Sequence, residues 1–225
     1  MGSYRHTWKS SLAAISLALS AAFVLAAAGP NAENLNPGLG ETAAGDLVAD
    51  AVRAAAKADI AFVQAGILKP AALPRDLTAP PPVAPPPPGG WAGLLLAYPQ
   101  ERITVLTLDS GVVLSALQRS LSVLPIPHKA FLQVSGITVL FDAAAPPMKR
   151  VLSVAIAGAP LETARTCKVA MPSSLAGGYL GFFRLFNGAP RQELDTTLAQ
   201  ALSSYLAAKP PVPRPPERLR QLAPK

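Results

Sequence analysis

The stretch ADIAFVQAGILK, residues 58–69, decides how the rest of the chain is interpreted. Its apolar run from Ile60 to Val63 is bounded by a charged residue and by a Gln-Ala-Gly turn, which predicts a short buried strand. Such a strand brings its last residues to a surface, where side chains can meet a ligand. The stretch therefore raises two questions: which fold surrounds it, and whether its end carries chemistry or only supports the scaffold.

The size and composition of the chain limit the choice of fold. The chain has 225 residues and is 50% hydrophobic, which is enough to bury one domain core. Twenty Lys and Arg against thirteen Asp and Glu give a net charge of +7, which favours anionic partners. The basic residues are spread out and are not interleaved with aromatic residues, so we do not predict nucleic-acid binding.

The N-terminal segment has the layout of a secretory signal. Arg5 and Lys9 precede an apolar and small-residue run from Leu12 to Ala28, which ends in three alanines. We therefore predict a signal peptide over residues 1–28 and an exported protein, periplasmic or extracellular. The run is short for a membrane span, which needs about 20 apolar residues. Membrane association is expected only if the signal stays uncleaved as an anchor.

The rest of the chain mixes helix and strand signals without a strict alternation. Helical spacing predicts helices over residues 41–56, 91–98 and 111–122 and a final amphipathic helix from Leu194 to Leu206. Apolar and alternating runs predict strands at 60–63 and 103–108, two strands around Gly136 within 131–142, and strands within 150–161 and 166–172. This mixture predicts a single α+β domain, a layered α/β sandwich rather than a doubly wound sheet.

Two proline-rich segments stand apart from this pattern. Prolines lack N–H donors, so residues 70–90 are predicted to be a surface loop inserted into a domain that spans residues 40–207. Residues 208–225 are predicted to be a basic, proline-rich tail. Either segment could attach the domain to envelope polymers or to another protein.

Several residues that could carry chemistry have simpler interpretations. Asp46, Asp50 and Arg53 recur at helical spacing along the first helix, which is typical of a solvated, salt-bridged face. Cys167 lies in an alternating strand with no His or Asp spaced to activate it, and is interpreted as a small buried side chain. His128 is interpreted as a solvated loop residue.

Five segments, in chain order, resemble the C-terminal domain of the bacterial and animal 5′-nucleotidases. They are GETAAGDLVADAV, ADIAFVQAGILK, YPQERITVLTLDSGVVLSAL, FLQVSGITVLFD and KVAMPSSLAGGYLGFF, and the similarity runs from about Gly40 to Leu206. The resemblance implies a layered α/β domain that recognises the nucleoside. In the family, hydrolysis belongs to an N-terminal metallophosphoesterase domain with two metal ions, which need several converging His, Asp and Asn ligands. We therefore expect no catalytic residue, no metal ligand and no cofactor in this chain.

The resemblance also implies where a nucleoside would bind, and there the sequence departs from the family. The family's Asn, glycines and Ile-Arg after the first strand align with Gln64 to Lys69. Gln64 keeps an amide and Lys69 keeps a charge, but Lys lacks the planar fork of Arg. The family's Pro-Phe-Gly-Asn aligns with residues 99–102, so Gln100 replaces a stacking ring, unless Tyr98 takes its place.

The second aromatic position of the family aligns with Ser174, and an acidic position aligns with Leu180. Because stacking on an aromatic ring is worth roughly 1–3 kcal/mol per base, these losses predict nucleoside affinity weaker by orders of magnitude. The resemblance leaves six residues as the remnant of a substrate-binding site: Gln64, Lys69, Tyr98, Arg102, Tyr179 and Phe182.

Three functions stay open on the sequence. The first is an exported accessory or ligand-binding domain, non-catalytic by itself, whose ligand has drifted from the nucleotide. The second is a nucleotide-recognition subunit that completes a separately encoded metallophosphoesterase in trans. The third is an envelope or protein-interaction module. The expected partners are accordingly a weakly bound nucleoside or nucleotide, a separate metallophosphoesterase, or an envelope component.

Overall fold

The computed structural model describes residues 36–70, 90–162, 165–208 and 218–222. The predicted signal peptide and most of the two proline-rich segments lie outside the described residues, so these assignments stay predictions. Within the described ranges, no helix is both long enough and apolar enough to cross a membrane.

The described helices are α1 (Ala43–Ala56), α2 (Gly90–Leu95), α3 (Ser110–Leu121), α4 (Ser173–Ala176), α5 (Phe183–Phe186) and α6 (Leu198–Ala208). The described strands are β1 (Ile60–Gln64), β2 (Arg102–Asp109), β3 (Leu132–Ser135), β4 (Ile137–Phe141), β5 (Val151–Ile156), β6 (Ala159–Pro160), β7 (Thr166–Pro172), β8 (Arg191–Thr197) and β9 (Leu219–Gln221). Short 3₁₀ turns occupy Ala65–Ile67 and Tyr179–Gly181.

The strands described form two sheets. The larger has the order β3-β1-β7-β2-β8, in which β1 runs parallel to β7 and the other pairs are antiparallel. The smaller has the order β6-β5-β4-β9. Two strands were predicted around Gly136, and both are present, but the chain changes sheet between them. Gly136 has φ +77°, and a Cβ there would lie 2.3 Å from the Asp59 backbone oxygen, so the crossing requires glycine.

Strand β1 is buried on both faces of the larger sheet. Ile60 and Phe62 point into one apolar cluster, with α3 and the smaller sheet, while Ala61 and Val63 point into the other, with α1 and α6. All five residues of β1 are buried, which explains why its sequence is a continuous apolar run rather than an alternating one. The predicted layered α/β sandwich is confirmed.

The last helix begins later than predicted. Leu194, assigned to the helix from the sequence, lies in strand β8, which pairs with β2. The helix starts at Leu198 because Thr197 and Gln200 form reciprocal caps: the Thr197 N–H donates to Gln200 Oε1 at 2.8 Å, and the Gln200 N–H donates to Thr197 Oγ1 at 3.3 Å.

The charged face of α1 is covered, so the prediction of a solvated face is wrong for Asp46, which is 4% exposed. Arg218 lies against it: its Nη2 is 2.8 Å from Asp50 Oδ2, and its Nη1 donates to the Val134 oxygen at 2.7 Å. Arg218 leads directly into β9, which pairs with β4. The predicted domain boundary at residue 207 therefore leaves out a segment that packs with the domain.

Candidate functional site

The candidate site lies where β1 and β7 end. The two strands are parallel, so their carboxyl ends meet at the same edge of the larger sheet, an arrangement that places ligand sites in many α/β folds. Strand β1 continues into the turn Ala65–Ile67, and β7 continues into α4. Strand β2 is antiparallel to β7, so it begins at this same edge.

Gln64, the last residue of β1, has the most constrained polar side chain at this edge. It is 1% exposed, and its Nε2 donates a hydrogen bond to Ser174 Oγ at 2.8 Å. Its Oε1 is buried and has no hydrogen-bond partner among the residues that the structure describes. An unpaired buried acceptor costs roughly 1–3 kcal/mol, so the packing of the core does not account for this amide.

The start of α4 is bonded to the start of β2. The Ser174 N–H donates to Glu101 Oε1 at 2.8 Å, and Ser173 Oγ donates to the Arg102 backbone oxygen at 3.0 Å. The Ser173 hydroxyl also lies 2.9 Å from that of Thr104, which is 1% exposed. These are the two segments that the sequence resemblance aligns with the family's aromatic positions. In this chain they are joined directly by hydrogen bonds.

The remaining sequence-predicted residues near β1 line the same edge but point to solvent. The segments that carry Lys69 and Tyr98 run side by side, since the Ala97 N–H donates to the Ile67 oxygen at 2.8 Å. Lys69 Nζ donates to the Gly93 oxygen at 2.7 Å, and Tyr98 is 61% exposed. Arg102 Nη1 lies 3.6 Å from Asp195 Oδ1 in an exposed ion pair.

Tyr179 and Phe182, also predicted from the sequence, lie in different environments. Tyr179 is 62% exposed in the short turn after α4. Phe182 is fully buried, with its ring stacked 5.5 Å from that of Phe186 and the Arg119 guanidinium 5.9 Å from its centre. Phe182 therefore belongs to the core and does not line a surface pocket in this conformation.

Sequence reasoning missed the roles of Glu101, Ser173 and Thr104. Each acts through a hydrogen bond between segments about 70 residues apart in the chain, which no local pattern encodes. The sequence signal is the pair of threonines within the apolar run of β2, Thr104 and Thr107, of which the structure buries Thr104. Its burial indicates that it needs a partner.

The Cys167 thiol and a metal site are the two other features that could carry chemistry. Cys167 is 1% exposed, and burial raises the pKa of its thiol, which favours the unreactive protonated form. Among the described ranges, no group of three or more His, Cys, Asp or Glu side chains is placed to hold a metal ion.

Comparison with known proteins agrees with the fold. Residues 94–187 match the family described as 5′-nucleotidase, C-terminal domain. A 5′-nucleotidase precursor from Thermus thermophilus superposes with a TM-score of 0.70 at 24% identity, over 83% of this chain and 36% of that one. No curated protein matches the chain.

Two further solved structures are similar. A protein assigned as a 5′-nucleotidase from Staphylococcus aureus, in complex with alpha-ketoglutarate, gives a TM-score of 0.61 at 16% identity, over 82% of this chain and 37% of that one. The NAD nucleotidase of Haemophilus influenzae gives a TM-score of 0.61 at 14% identity, over 80% of this chain and 33% of that one.

These comparisons confirm the predicted resemblance to the 5′-nucleotidase C-terminal domain. This chain spans 36%, 37% and 33% of the three solved structures, so it corresponds to about a third of each. The activities named for those proteins are properties of much longer chains.

Proposed function

We propose that this chain is an exported accessory domain that does not hydrolyse phosphate esters by itself and that no longer binds a nucleoside at the position aligned with the family's site. The match of residues 94–187 to the 5′-nucleotidase C-terminal domain supports a recognition role rather than a catalytic one.

The observation that carries the proposal is the bonding of Ser174. Its hydroxyl accepts from Gln64 Nε2 and its N–H donates to Glu101 Oε1, both at 2.8 Å. In the resemblance, position 174 corresponds to a ring that stacks on the base. Here its polar groups are used within the protein, and a base placed there would have to break contacts rather than gain a stacking surface.

Two measurements on the full-length chain test the proposal. Calorimetric titration with adenosine and AMP, with and without divalent metal ions, is expected to give no saturable binding in the micromolar range. An assay of phosphate release from AMP, with the same metal ions, is expected to give none. Saturable micromolar binding of adenosine would contradict the lost site, and metal-dependent phosphate release would contradict the accessory role.

A second candidate is recognition in trans for a separately encoded metallophosphoesterase. Two exposed rings favour it: Tyr98 and Tyr179 are 61% and 62% exposed at the end of the sheet where β1 and β7 finish. A partner that supplies the catalytic half would cover such rings, because exposed aromatic side chains are typical of protein interfaces.

The test adds this chain to a metallophosphoesterase encoded in the same genome and follows the kinetics of nucleotide hydrolysis. We expect the KM for the nucleotide to fall when the chain is added, and the effect to be lost with Tyr98→Ala. Kinetics that do not change on adding the unmodified chain rule this candidate out.

A further inference from the structure

A separate cleft lies beyond the end of β1, on the side of strand β3. It has a volume of about 180 Å³, and its wall is mainly apolar, with Pro37, Leu68 and Pro127 among the lining residues. Two basic side chains, His128 and Lys129, complete the lining, and no acidic residue takes part in it. We call it the His128 cleft.

The backbone that carries the two basic residues is held in place on both sides. The His128 N–H donates to the Gly38 oxygen at 3.0 Å, and the Gly66 N–H donates to the Lys129 oxygen at 3.0 Å. Glycine is required at Gly38, where a Cβ would lie 2.9 Å from the His128 nitrogen. A Cβ on Gly66 would lie 3.1 Å from Lys129 Cβ, a tight contact that a small shift relieves. The backbone of the basic pair is therefore held in place, which lowers part of the entropy cost of binding.

The imidazole of His128 presents a donor. Its Nδ1 accepts a hydrogen bond from the Ala130 N–H at 3.0 Å, so in the neutral ring the proton is on Nε2. The Lys129 ammonium has no hydrogen-bond or ion-pair partner among the described residues, and both side chains are exposed. A fixed donor beside an uncompensated cation is suited to an oxyanion.

The size and the wall of the cleft narrow the class of ligand. Pockets for drug-sized ligands measure roughly 300–1,000 Å³, so a cleft of about 180 Å³ is suited to a smaller ligand. An inorganic anion would leave the apolar wall uncovered, whereas a short hydrocarbon chain would cover it.

We propose that the His128 cleft binds a small organic anion, a carboxylate with a short apolar body. The carboxylate accepts from His128 Nε2 and pairs with Lys129, while the apolar body lies against Pro37, Leu68 and Pro127. The cleft shares Ala65 and Leu68 with the segment aligned with the nucleoside site, but its basic pair, His128 and Lys129, lies outside the aligned positions. Binding of a small carboxylate can therefore be tested separately from the function proposed above.

The chain has two histidines, so nuclear magnetic resonance can follow His128 directly. The full-length chain carrying His6→Gln has His128 as its one imidazole, and it is titrated at fixed pH with acetate, butyrate and inorganic phosphate. We expect saturable shifts of the His128 ring signals and of the Leu68 methyl signals. Each buried methylene strengthens binding about fourfold, so butyrate, with two more methylenes, is expected to bind about fifteenfold tighter than acetate.

Two variants distinguish binding in the cleft from a general attraction of anions to the positively charged protein. Lys129→Met keeps the aliphatic stem beside Gly66 and is expected to weaken butyrate binding at least fivefold. Lys149→Met removes an exposed charge elsewhere and is expected to leave it unchanged. The proposal is overturned if butyrate gives no saturable shift, if acetate or phosphate binds as tightly as butyrate, or if Lys129→Met has no effect.

Discussion

Gln64 Nε2 donates a hydrogen bond to Ser174 Oγ over 2.8 Å, between residues 110 positions apart in the chain. This contact ties the end of β1 to the start of α4. Because Gln64 is 1% exposed and its Oε1 has no partner among the described residues, the same amide places one paired and one unpaired polar group in the core.

Two substitutions at this contact should lower the free energy of unfolding by different amounts. Ser174→Ala leaves Gln64 Nε2 buried and unpaired, so we expect the free energy of unfolding to fall by about 1–3 kcal/mol. Gln64→Leu removes the unpaired oxygen together with the amide and should cost less than Ser174→Ala. Urea unfolding of both variants measures the difference. A larger loss for Gln64→Leu would show that Oε1 has a stabilising partner.

Two glycines with similar backbone angles should respond differently to a methyl group. Gly136 has φ +77° and a Cβ there would lie 2.3 Å from the Asp59 oxygen, whereas Gly158 has φ +82° and nothing within 4 Å. Gly158→Ala should cost only the left-handed penalty, about 1–2 kcal/mol. Gly136→Ala should cost at least ~2 kcal/mol more, because the backbone must also move.

Chemical denaturation of the two glycine variants, side by side, checks this prediction. Gly158→Ala serves as the matched control for the effect of φ alone. Equal losses of stability would mean that the backbone between β3 and β4 can shift at little cost. The close approach to Asp59 would then not be what requires glycine.

Local sequence patterns predicted much of the secondary structure. The apolar run of β1 and the alternation in β7 are signals of the strand itself, since each strand packs its own side chains into the core. Strand β8 gave no such signal because it lies at the edge of the sheet and its residues are mostly exposed. Its one apolar side chain, Leu194, fitted the helical spacing of the following residues equally well.

Tertiary contacts account for what the sequence did not predict. Asp46 is covered by Arg218, which lies 172 positions away, so nothing around Asp46 in the sequence signals its burial. At the candidate site, the alignment of motifs located Gln64. It did not predict the bonds from Ser174 to Gln64 and to Glu101, which depend on how β1, β2 and α4 meet.

Replacing Arg218 should destabilise the whole domain. Its side chain is 12% exposed, its Nη2 lies 2.8 Å from Asp50 Oδ2, and its backbone N–H donates to both Glu41 oxygens, at 3.0 and 2.9 Å. Arg218→Met removes the cation and leaves the Asp50 carboxylate without its partner. We expect the free energy of unfolding to fall by about 3 kcal/mol. This is at the lower end of the range for breaking a buried ion pair, because the Asp50 side chain is 21% exposed.

Thermal unfolding measures this loss, with Arg220→Met as the control. Arg220 lies in β9, which Arg218 precedes, and it is exposed, so its replacement should cost less than about 1 kcal/mol. Hydrogen exchange of the Val139 amide, which donates to the Arg218 backbone oxygen at 2.7 Å, should accelerate in Arg218→Met. Similar stability of the two variants would show that β9 is held by its backbone pairing with β4 alone.

The pH dependence of stability should carry a contribution from Asp46. Burial raises the pKa of its carboxyl from 3.8 to about 9 and outweighs the attraction of Arg218, whose Nη1 is 3.7 Å from Oδ1. The ion-pair distance alone would suggest a charged Asp46. We favour the protonated form, because Arg218 is already paired more closely with Asp50 and the nearby Glu41 also favours a proton on Asp46.

The sign of the effect follows from this raised pKa. The folded state holds the Asp46 proton more tightly than the unfolded state, so the stabilisation is fully present below pH 3.8 and is lost as pH rises toward about 9. Asp46→Asn keeps the shape of the side chain without the charge. Its stability relative to the unmodified protein should therefore rise steadily between pH 5 and pH 9.

Urea unfolding at pH 5, 7 and 9 measures this relative stability, and comparing variant with unmodified protein cancels the other titrating groups. Asp195→Asn, in which the replaced side chain is fully exposed, should show little change across the same range. A difference for Asp46→Asn that stays constant or shrinks with pH would mean that Asp46 is charged in the folded protein, with Arg218 compensating its burial.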